Sequence, residues 1–171
     1  MRRDSLPPSL RIAPEGHFGA LEDNLPGPTA IELSSRRGRT PRYEIGEPLH
    51  LLVRTTAPTA LYCFYLQANP RLLKIFPNPE HTEANLALGL HEIPGGLFPF
   101  NFVIAEPPGI ELIKCFAASR DVSAAHPPGL RKNSLDPLPV GSEWELARIF
   151  RGLKDVGLSE VSLVVTVDRA R

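Results

Sequence analysis

The stretch at residues 61–78, LYCFYLQANPRLLKIFPN, decides the fold. Residues 61–66 are aromatic and aliphatic without a charge, and residues 71–76 resume the apolar pattern. The four residues between them, Gln67-Ala68-Asn69-Pro70, form a turn-forming break. Two apolar segments joined in this way predict a β-hairpin whose first strand is buried on both faces.

Short β-prone stretches separated by proline continue on both sides of this hairpin. The chain contains 19 prolines, and each one fixes φ and lacks the N–H donor that a central strand would use. Apolar residues recur at every second position in residues 49–53, 98–104, 110–118 and 160–168. We expect the first of these strands beside the hairpin, the second with its phenylalanine face in the core, and the third in the centre of a sheet. The pattern predicts a mainly β protein, a β-sandwich of roughly seven to nine short strands.

The length of 171 residues is within the usual size of one domain and can bury a substantial core. Residues 1–28 contain five prolines and little periodicity, so we expect an irregular or disordered N-terminal arm. Residues 29–171 are then predicted to form a single β-sandwich domain.

One helix is predicted before the last strand. Ser142 is followed three residues later by Glu145, which is the form of a capping box. Apolar residues then follow the helical spacing, at Leu146, Ile149, Phe150 and Leu153. We expect a helix over 142–155, ended by Gly157, and a last strand over 160–168.

The charge balance argues against two classes of partner. Nineteen acidic residues balance nineteen basic ones, so no net field would steer the protein to nucleic acid or to an anionic membrane. Apolar runs are broken well before roughly 18 residues, and the first residues lead into Pro7 and Pro8 and not into an apolar stretch. We therefore expect a cytoplasmic protein with no secretory signal, no nucleic-acid partner and no membrane partner.

Cys63 and Cys115 are too few for a disulfide scaffold and lack metal-ligand spacing, so we expect both to be reduced, buried and slow to react. A hydrolase that uses either cysteine with a neighbouring histidine, such as His50, is an alternative. The apolar neighbours Tyr62 and Phe64 would raise the pKa of the Cys63 thiol and exclude substrate, which favours an inert buried thiol.

No metal or cofactor is predicted. His81 lies in an acidic loop with Glu80 and Glu83, but the chain has no H-E-x-x-H or C-x-x-C spacing. The glycine turns at 95–96 and 108–109 lack the strand-to-helix context of a phosphate-binding loop. We expect no catalytic residues.

Two segments carry candidate binding residues. Residues 35–42, SRRGRTPR, contain four arginines, which we interpret as a solvated loop because the net charge is zero and no aromatic residue is interleaved. Residues 119–141 have no sustained period, so we expect a long loop that is either disordered or functional. Its polar residues offer a locally basic surface to a protein partner, at Arg120, His126, Arg131 and Lys132.

Several motifs in a fixed order resemble one bacterial family. They are Tyr43-Glu44-Ile45-Gly46-Glu47-Pro48-Leu49, Ile75-Phe76-Pro77-Asn78, Ile93-Pro94, Pro108-Gly109-Ile110-Glu111 and Ala117-Ala118-Ser119. Over about residues 43–119 they resemble the domain of unknown function 4384 family. The resemblance implies an all-β accessory domain without established catalytic residues, of the kind found with caspase-like peptidases, protein kinases or other signalling modules, or in secreted and envelope proteins. The turn at 67–70 departs from the family pattern, which more often has an acidic, glycine-containing turn.

The leading hypothesis is a non-enzymatic accessory domain that binds another protein or a peptide in a bacterial signalling or stress-response system, with a peptidase or a kinase as the expected kind of partner. One alternative is the cysteine hydrolase. A second alternative is a small-molecule sensor with an apolar pocket between the sheets.

Overall fold

The computed structural model describes residues 25–26 and 30–171. Its strands are β1 (Leu25–Pro26), β2 (Ile31–Ser35), β3 (Arg42–Glu44), β4 (Pro48–Leu49), β5 (Leu51–Thr55), β6 (Thr59–Leu66), β7 (Leu72–Phe76), β8 (Asn85–Leu86), β9 (Gly89–Ile93), β10 (Phe102–Val103), β11 (Gly109–Ala118) and β12 (Gly157–Asp168). A 3-10 turn (Ser123–Ala125) and the helices α1 (Pro128–Arg131) and α2 (Glu143–Arg151) lie between the last two strands. The mainly β class is confirmed. The described strands exceed the predicted seven to nine because four of them are only two residues long.

The large sheet is built around β11, as predicted. This strand pairs antiparallel with β12 on one side and with β6 on the other. β7 and β8 continue the sheet beyond β6, while β1 and β3 pair in parallel with β12. The β6–β7 hairpin is therefore confirmed, and its turn closes with a 2.9 Å hydrogen bond from the Gln67 amide to the Arg71 carbonyl.

A second, three-stranded sheet has the antiparallel order β2-β5-β9, and β4 and β10 form a separate two-stranded ribbon. The prediction that the strand after Leu49 lies beside the hairpin is wrong. Both edges of β6 are already paired, by β11 and by β7 with β8. The alternating burial of β5 instead suits a sheet with one wet face.

Every residue of β6 is buried because the large sheet has a core on each face. One face packs on the second sheet, and this first core includes Leu61 and Val53. The opposite face is covered by residues 119–151, which we call the cap, and this second core includes Phe64 and Phe150. The three layers confirm that the first hairpin strand is buried on both faces.

The cap corrects two predictions. Disorder, one of the two alternatives predicted for the loop over residues 119–141, is wrong, because Val122, Leu130 and Val140 pack into the second core. Helix α2 begins as predicted, with Ser142 Oγ accepting from the Glu145 amide. It ends at Arg151, before the predicted 155, with Gly152 as its C-cap. The last strand then begins at Gly157 and not at 160, since its first residues pair with β11 and β1.

The predicted apolar face of residues 98–104 packs on the first core, although only Phe102–Val103 of the predicted strand forms a strand. Phe98 and Ile104 are buried, whereas Phe100 and Phe102 are half-buried and pack on each other and on Phe98. The two half-buried rings therefore close the rim of the first core.

The prediction of an irregular or disordered arm over 1–28 lies outside the described residues, except that Leu25–Pro26 pairs in parallel with Gly157 and Leu158. Within the described part of the chain, no helix has the length and apolar character needed to cross a membrane.

Candidate functional site

Cys63 and Cys115 form a disulfide in the first core. They are directly opposite each other in the β6–β11 register, with a Cα–Cα distance of 4.1 Å. Both are fully buried, as predicted, but the prediction that they are reduced is wrong. Their separation of 52 residues gives no hint of this pairing, which the strand register creates.

The arginines of residues 35–42 are largely neutralised by carboxylates from elsewhere in the fold. Arg37 makes two hydrogen bonds to Glu47, at 2.8 and 2.9 Å, and these lower the pKa of Glu47 to about 2. Arg42 pairs with Asp168 at 2.8 Å. Arg36 contacts Glu92 at 2.5 Å. These pairs favour the interpretation of the segment as a solvated loop over that of an anion-binding site.

The first half of the cap is attached to the large sheet through Tyr62. The Tyr62 hydroxyl donates to Asp121 Oδ1 at 2.7 Å and accepts from the Val122 amide at 2.9 Å. Asp121 Oδ1 also accepts from the Ser123 amide at 2.9 Å. Burial raises the pKa of Tyr62 to about 12, so the phenol remains a donor at neutral pH.

Lys74 is a second attachment point. It lies on β7 and is almost fully buried, and its Nζ donates at 3.0 Å to both the Leu130 carbonyl and Asn133 Oδ1. Burial lowers the pKa of Lys74 to about 8. The Leu138 amide adds a backbone bond of 2.8 Å to the Leu72 carbonyl. A lysine among the apolar residues of β7 was the sequence signal that could have shown this attachment.

His126 is not on the surface, so its prediction as a partner-binding residue is wrong. It is 1% exposed, and its ring stands edge-on to the rings of Tyr62 and Phe150 at 5.1 and 4.8 Å. Neither ring nitrogen has a hydrogen-bond partner among the described residues. Burial, with the nearby charge of Lys74, lowers the pKa of His126 to about 4. The ring therefore acts as a neutral core aromatic.

The other three predicted partner-binding residues, Arg120, Arg131 and Lys132, are exposed. Arg131 Nε donates to the His126 carbonyl at 2.8 Å, which fixes the side chain against the cap. Within the described ranges, none of the three forms an ion pair with a carboxylate. Residues 119–132 of the cap thus present three exposed cations that form no ion pair in the described structure.

A group of buried charges lies under the other half of the cap. Lys114 Nζ pairs with Glu160 Oε1 at 3.0 Å, and Arg151 hydrogen-bonds both oxygens of the same carboxylate. Burial alone would raise the pKa of Glu160, but the bonds from Arg151 and Lys114 bring it below its usual value. Nearby, Glu143 is 4% exposed and neither of its oxygens has a hydrogen-bond partner in the described structure. Burial raises the pKa of Glu143 to about 7.

No group of three or more His, Cys, Asp or Glu side chains in the described structure could hold a metal ion. His81, the histidine of the acidic loop, stacks on Phe76 with ring centroids 5.2 Å apart. His50 Nδ1 lies 3.5 Å from Glu92 Oε1 and not beside a cysteine nucleophile.

The fold and these contacts define a β-sandwich domain with a disulfide in its central strands and a cap that is hydrogen-bonded to its large sheet. A family model described as "Domain of unknown function (DUF4384)" matches residues 42–121, so this part of the chain is similar to that family. The match confirms the resemblance stated for about residues 43–119. Residues 122–171, which include most of the cap and β12, lie outside the matched range. No curated protein matches the chain.

Proposed function

We propose that this chain is a non-enzymatic accessory domain that binds an acidic surface of another protein, in the bacterial signalling or stress-response setting that the family resemblance implies. The observation that carries the proposal is the exposure of Arg120, Arg131 and Lys132 on a cap that is fixed to the sheet. A peptidase or a kinase remains the expected kind of partner.

Two features of the cap favour binding, namely exposed cations that form no ion pair in the described structure and a position that is already held to the sheet. Arg37 and Arg42, in the other basic segment, already have carboxylate partners. The cap cations do not, so a carboxylate on another protein would gain their attraction without breaking an existing ion pair. The bonds from Lys74 hold the Leu130 carbonyl and the Asn133 side chain, so little further ordering of the cap is needed on binding.

The hydrolase alternative finds no support in the described residues. Both cysteine sulfurs are bonded to each other inside the first core, so neither is available as a nucleophile. The inter-sheet sensor stays a prediction, as does the expected cytoplasmic location. The disulfide counts against that location, because reducing compartments keep thiols free. Mass spectrometry of alkylated protein from native cells would decide whether the disulfide is formed there.

The test compares capture of native-cell proteins by three immobilised forms of the full chain. The first is unmodified, the second carries Arg131→Ala with Lys132→Ala, and the third carries Arg148→Ala with Lys154→Ala. The third is the matched control, because it removes two exposed cations from or near helix α2 with the same change in net charge. Stability should stay within about 0.5 kcal/mol for both variants, as is usual for exposed substitutions.

Some proteins should be captured by both the unmodified chain and the control. We expect the Arg131 and Lys132 variant to capture about tenfold less of them or even less, and a tenfold loss corresponds to about 1.4 kcal/mol of binding free energy. Their binding should also weaken as salt increases, since exposed ion pairs are screened. Equal capture by all three forms would refute the proposed surface.

A further inference from the structure

The second sheet has an open edge at β9. Its order is β2-β5-β9, and β5 is the strand with which β9 pairs in the described residues. Both edges of the large sheet are met by further chain. β12 pairs with β1 and β3 on its outer side, and the edge strand β7 accepts the Leu138 amide from the cap. The outer side of β9 has no such cover within the described ranges.

Two leucines mark this edge. Leu88 is 62% exposed and Leu90 is 55% exposed, which makes them the most exposed large apolar side chains among the described residues. Leu90 lies opposite Arg54, on the face of the sheet that points away from the first core. Gly89 between the leucines has φ +126°, a left-handed conformation that side chains rarely adopt. The regular edge therefore runs over residues 90–93.

The charges that flank Leu90 are already paired within the domain. Arg54 lies 4.0 Å from Glu32. Glu92 contacts Arg36 at 2.5 Å and His50 at 3.5 Å. A segment that packs here meets an apolar side chain between balanced charges, so the chemistry of the edge favours an uncharged occupant.

Natural edge strands are commonly protected by charged side chains, above all lysine, by a proline or by a bulge. Residues 90–93 contain no lysine or proline, their charged residue Glu92 is paired with Arg36, and the β5–β9 register runs without a shift. The edge therefore offers regular unpaired backbone groups beside an exposed leucine, and these are the two elements that strand addition uses.

We propose that β9 binds an extended, uncharged segment of another protein, which adds a fourth strand to the sheet β2-β5-β9 and packs an apolar side chain on Leu90. Main-chain hydrogen bonds supply affinity, and the side chain next to Leu90 supplies selectivity. This surface is separate from the cap cations, so the inference does not depend on the function proposed above.

The size of the edge favours a peptide segment over a second copy of the chain. A stable dimer needs roughly 1,200 Å² or more of buried surface. Four regular residues and one exposed leucine on each side provide much less, and the charged pairs beside them would have to be desolvated. A short added strand needs only the backbone edge and one side-chain contact.

The experiment uses the full chain and a displayed library of random decapeptides. We expect selected peptides to be uncharged, with apolar residues at alternate positions, and to bind as soluble synthetic copies. Leu90→Lys should weaken their binding about tenfold or more, as loss of a buried leucine contact predicts. Val103→Lys is the matched control because Val103 is a 53% exposed residue on another short strand, β10, and this variant should bind normally.

Backbone N-methylation of the peptides tests the pairing itself. In an added strand, N–H groups at alternate positions point to β9, so methylation of one alternate set should abolish binding while methylation of the other set should not. Equal sensitivity to both sets, or equal loss for Leu90→Lys and Val103→Lys, would overturn the proposal. Failure of the library to yield a peptide sensitive to Leu90→Lys would also overturn it, as would a dimer of the unmodified chain that Leu90→Lys dissociates. None of these results bears on the Arg131 and Lys132 test.

Discussion

The contribution of Glu143 to the free energy of unfolding should fall as pH rises from about 4.5 to about 7, because Glu143 ionises within this range in a buried position. Glu143 is the first residue of α2, and burial raises its pKa to about 7 from an ordinary value of 4.5. The folded protein therefore holds this proton more tightly than the unfolded chain. The stabilisation is fully present below pH of about 4.5 and is lost as pH rises through the folded pKa.

The magnitude follows from the size of the shift. One pKa unit corresponds to about 1.4 kcal/mol, so a rise of this size corresponds to about 3 kcal/mol. The helix N-terminus favours the carboxylate by about 0.3–1 kcal/mol, which reduces the effect. The charge of Lys114 also favours the carboxylate, but burial is the larger influence. We expect Glu143→Gln, which cannot ionise, to be about 2 kcal/mol more stable than the unmodified protein at pH of about 8.

Urea unfolding of both proteins at about pH 4.5 and about pH 8 measures this difference. Lys114, Arg151 and Glu160, which lie in the same buried group, are present in both proteins, so the difference isolates Glu143. At the lower pH the two should agree within about 0.5 kcal/mol. Glu145→Gln is the control, since Glu145 is exposed on the same helix and accepts from the Gly141 amide at 2.9 Å. A Glu143→Gln protein no more stable than the unmodified one at about pH 8 would refute the reasoning.

Two further predictions concern the first core. The unfolded protein without reductant should show no free thiol at Cys63 or Cys115, and full alkylation under these conditions would contradict the disulfide. Replacing both cysteines with alanine should lower the free energy of unfolding in urea by about 4 kcal/mol, since the crosslink closes a loop of 52 residues. Phe98→Ala should cost about 3–5 kcal/mol, the usual range for a buried aromatic. Phe100→Ala should cost less, about 1–3 kcal/mol, because its ring is half-buried; equal costs would show that burial does not distinguish the two rings.

The hairpin, the central strand and the start of the helix could be predicted because each depends on residues close together in sequence. β6 and β7 are contiguous apolar runs around a turn, and Ser142 caps α2 through a contact three residues away. The position of β5 could not be predicted in this way. The alternation of buried and more exposed residues in β5 shows that one of its faces meets solvent. No local feature of the sequence specifies the sheet in which the strand pairs.

The disulfide and the burial of His126 were missed for a related reason. Cys63 and Cys115 meet only because β6 and β11 pair in one particular register. His126 lies among prolines and charged residues, a composition typical of exposed loops, yet its ring packs between Tyr62 and Phe150. Composition predicts that such a segment is exposed, and only the tertiary contacts with Tyr62 and Phe150 show that His126 is buried.

Two lysines in the strands connect the sequence pattern of the sheet with the position of the cap. Lys74 and Lys114 interrupt apolar strands, and burial lowers the pKa of both. An apolar residue at either position would avoid the cost of desolvating a charge, so these lysines are weak evidence for added stability. What they supply is direction, because Lys74 reaches Leu130 of the cap, while Lys114 holds the Glu160 carboxylate to which Arg151 of α2 also bonds. Apolar contacts alone would leave several positions of the cap similar in energy. We infer that the buried lysines fix where the cap sits on the sheet, and with it the orientation of the exposed cations next to Leu130.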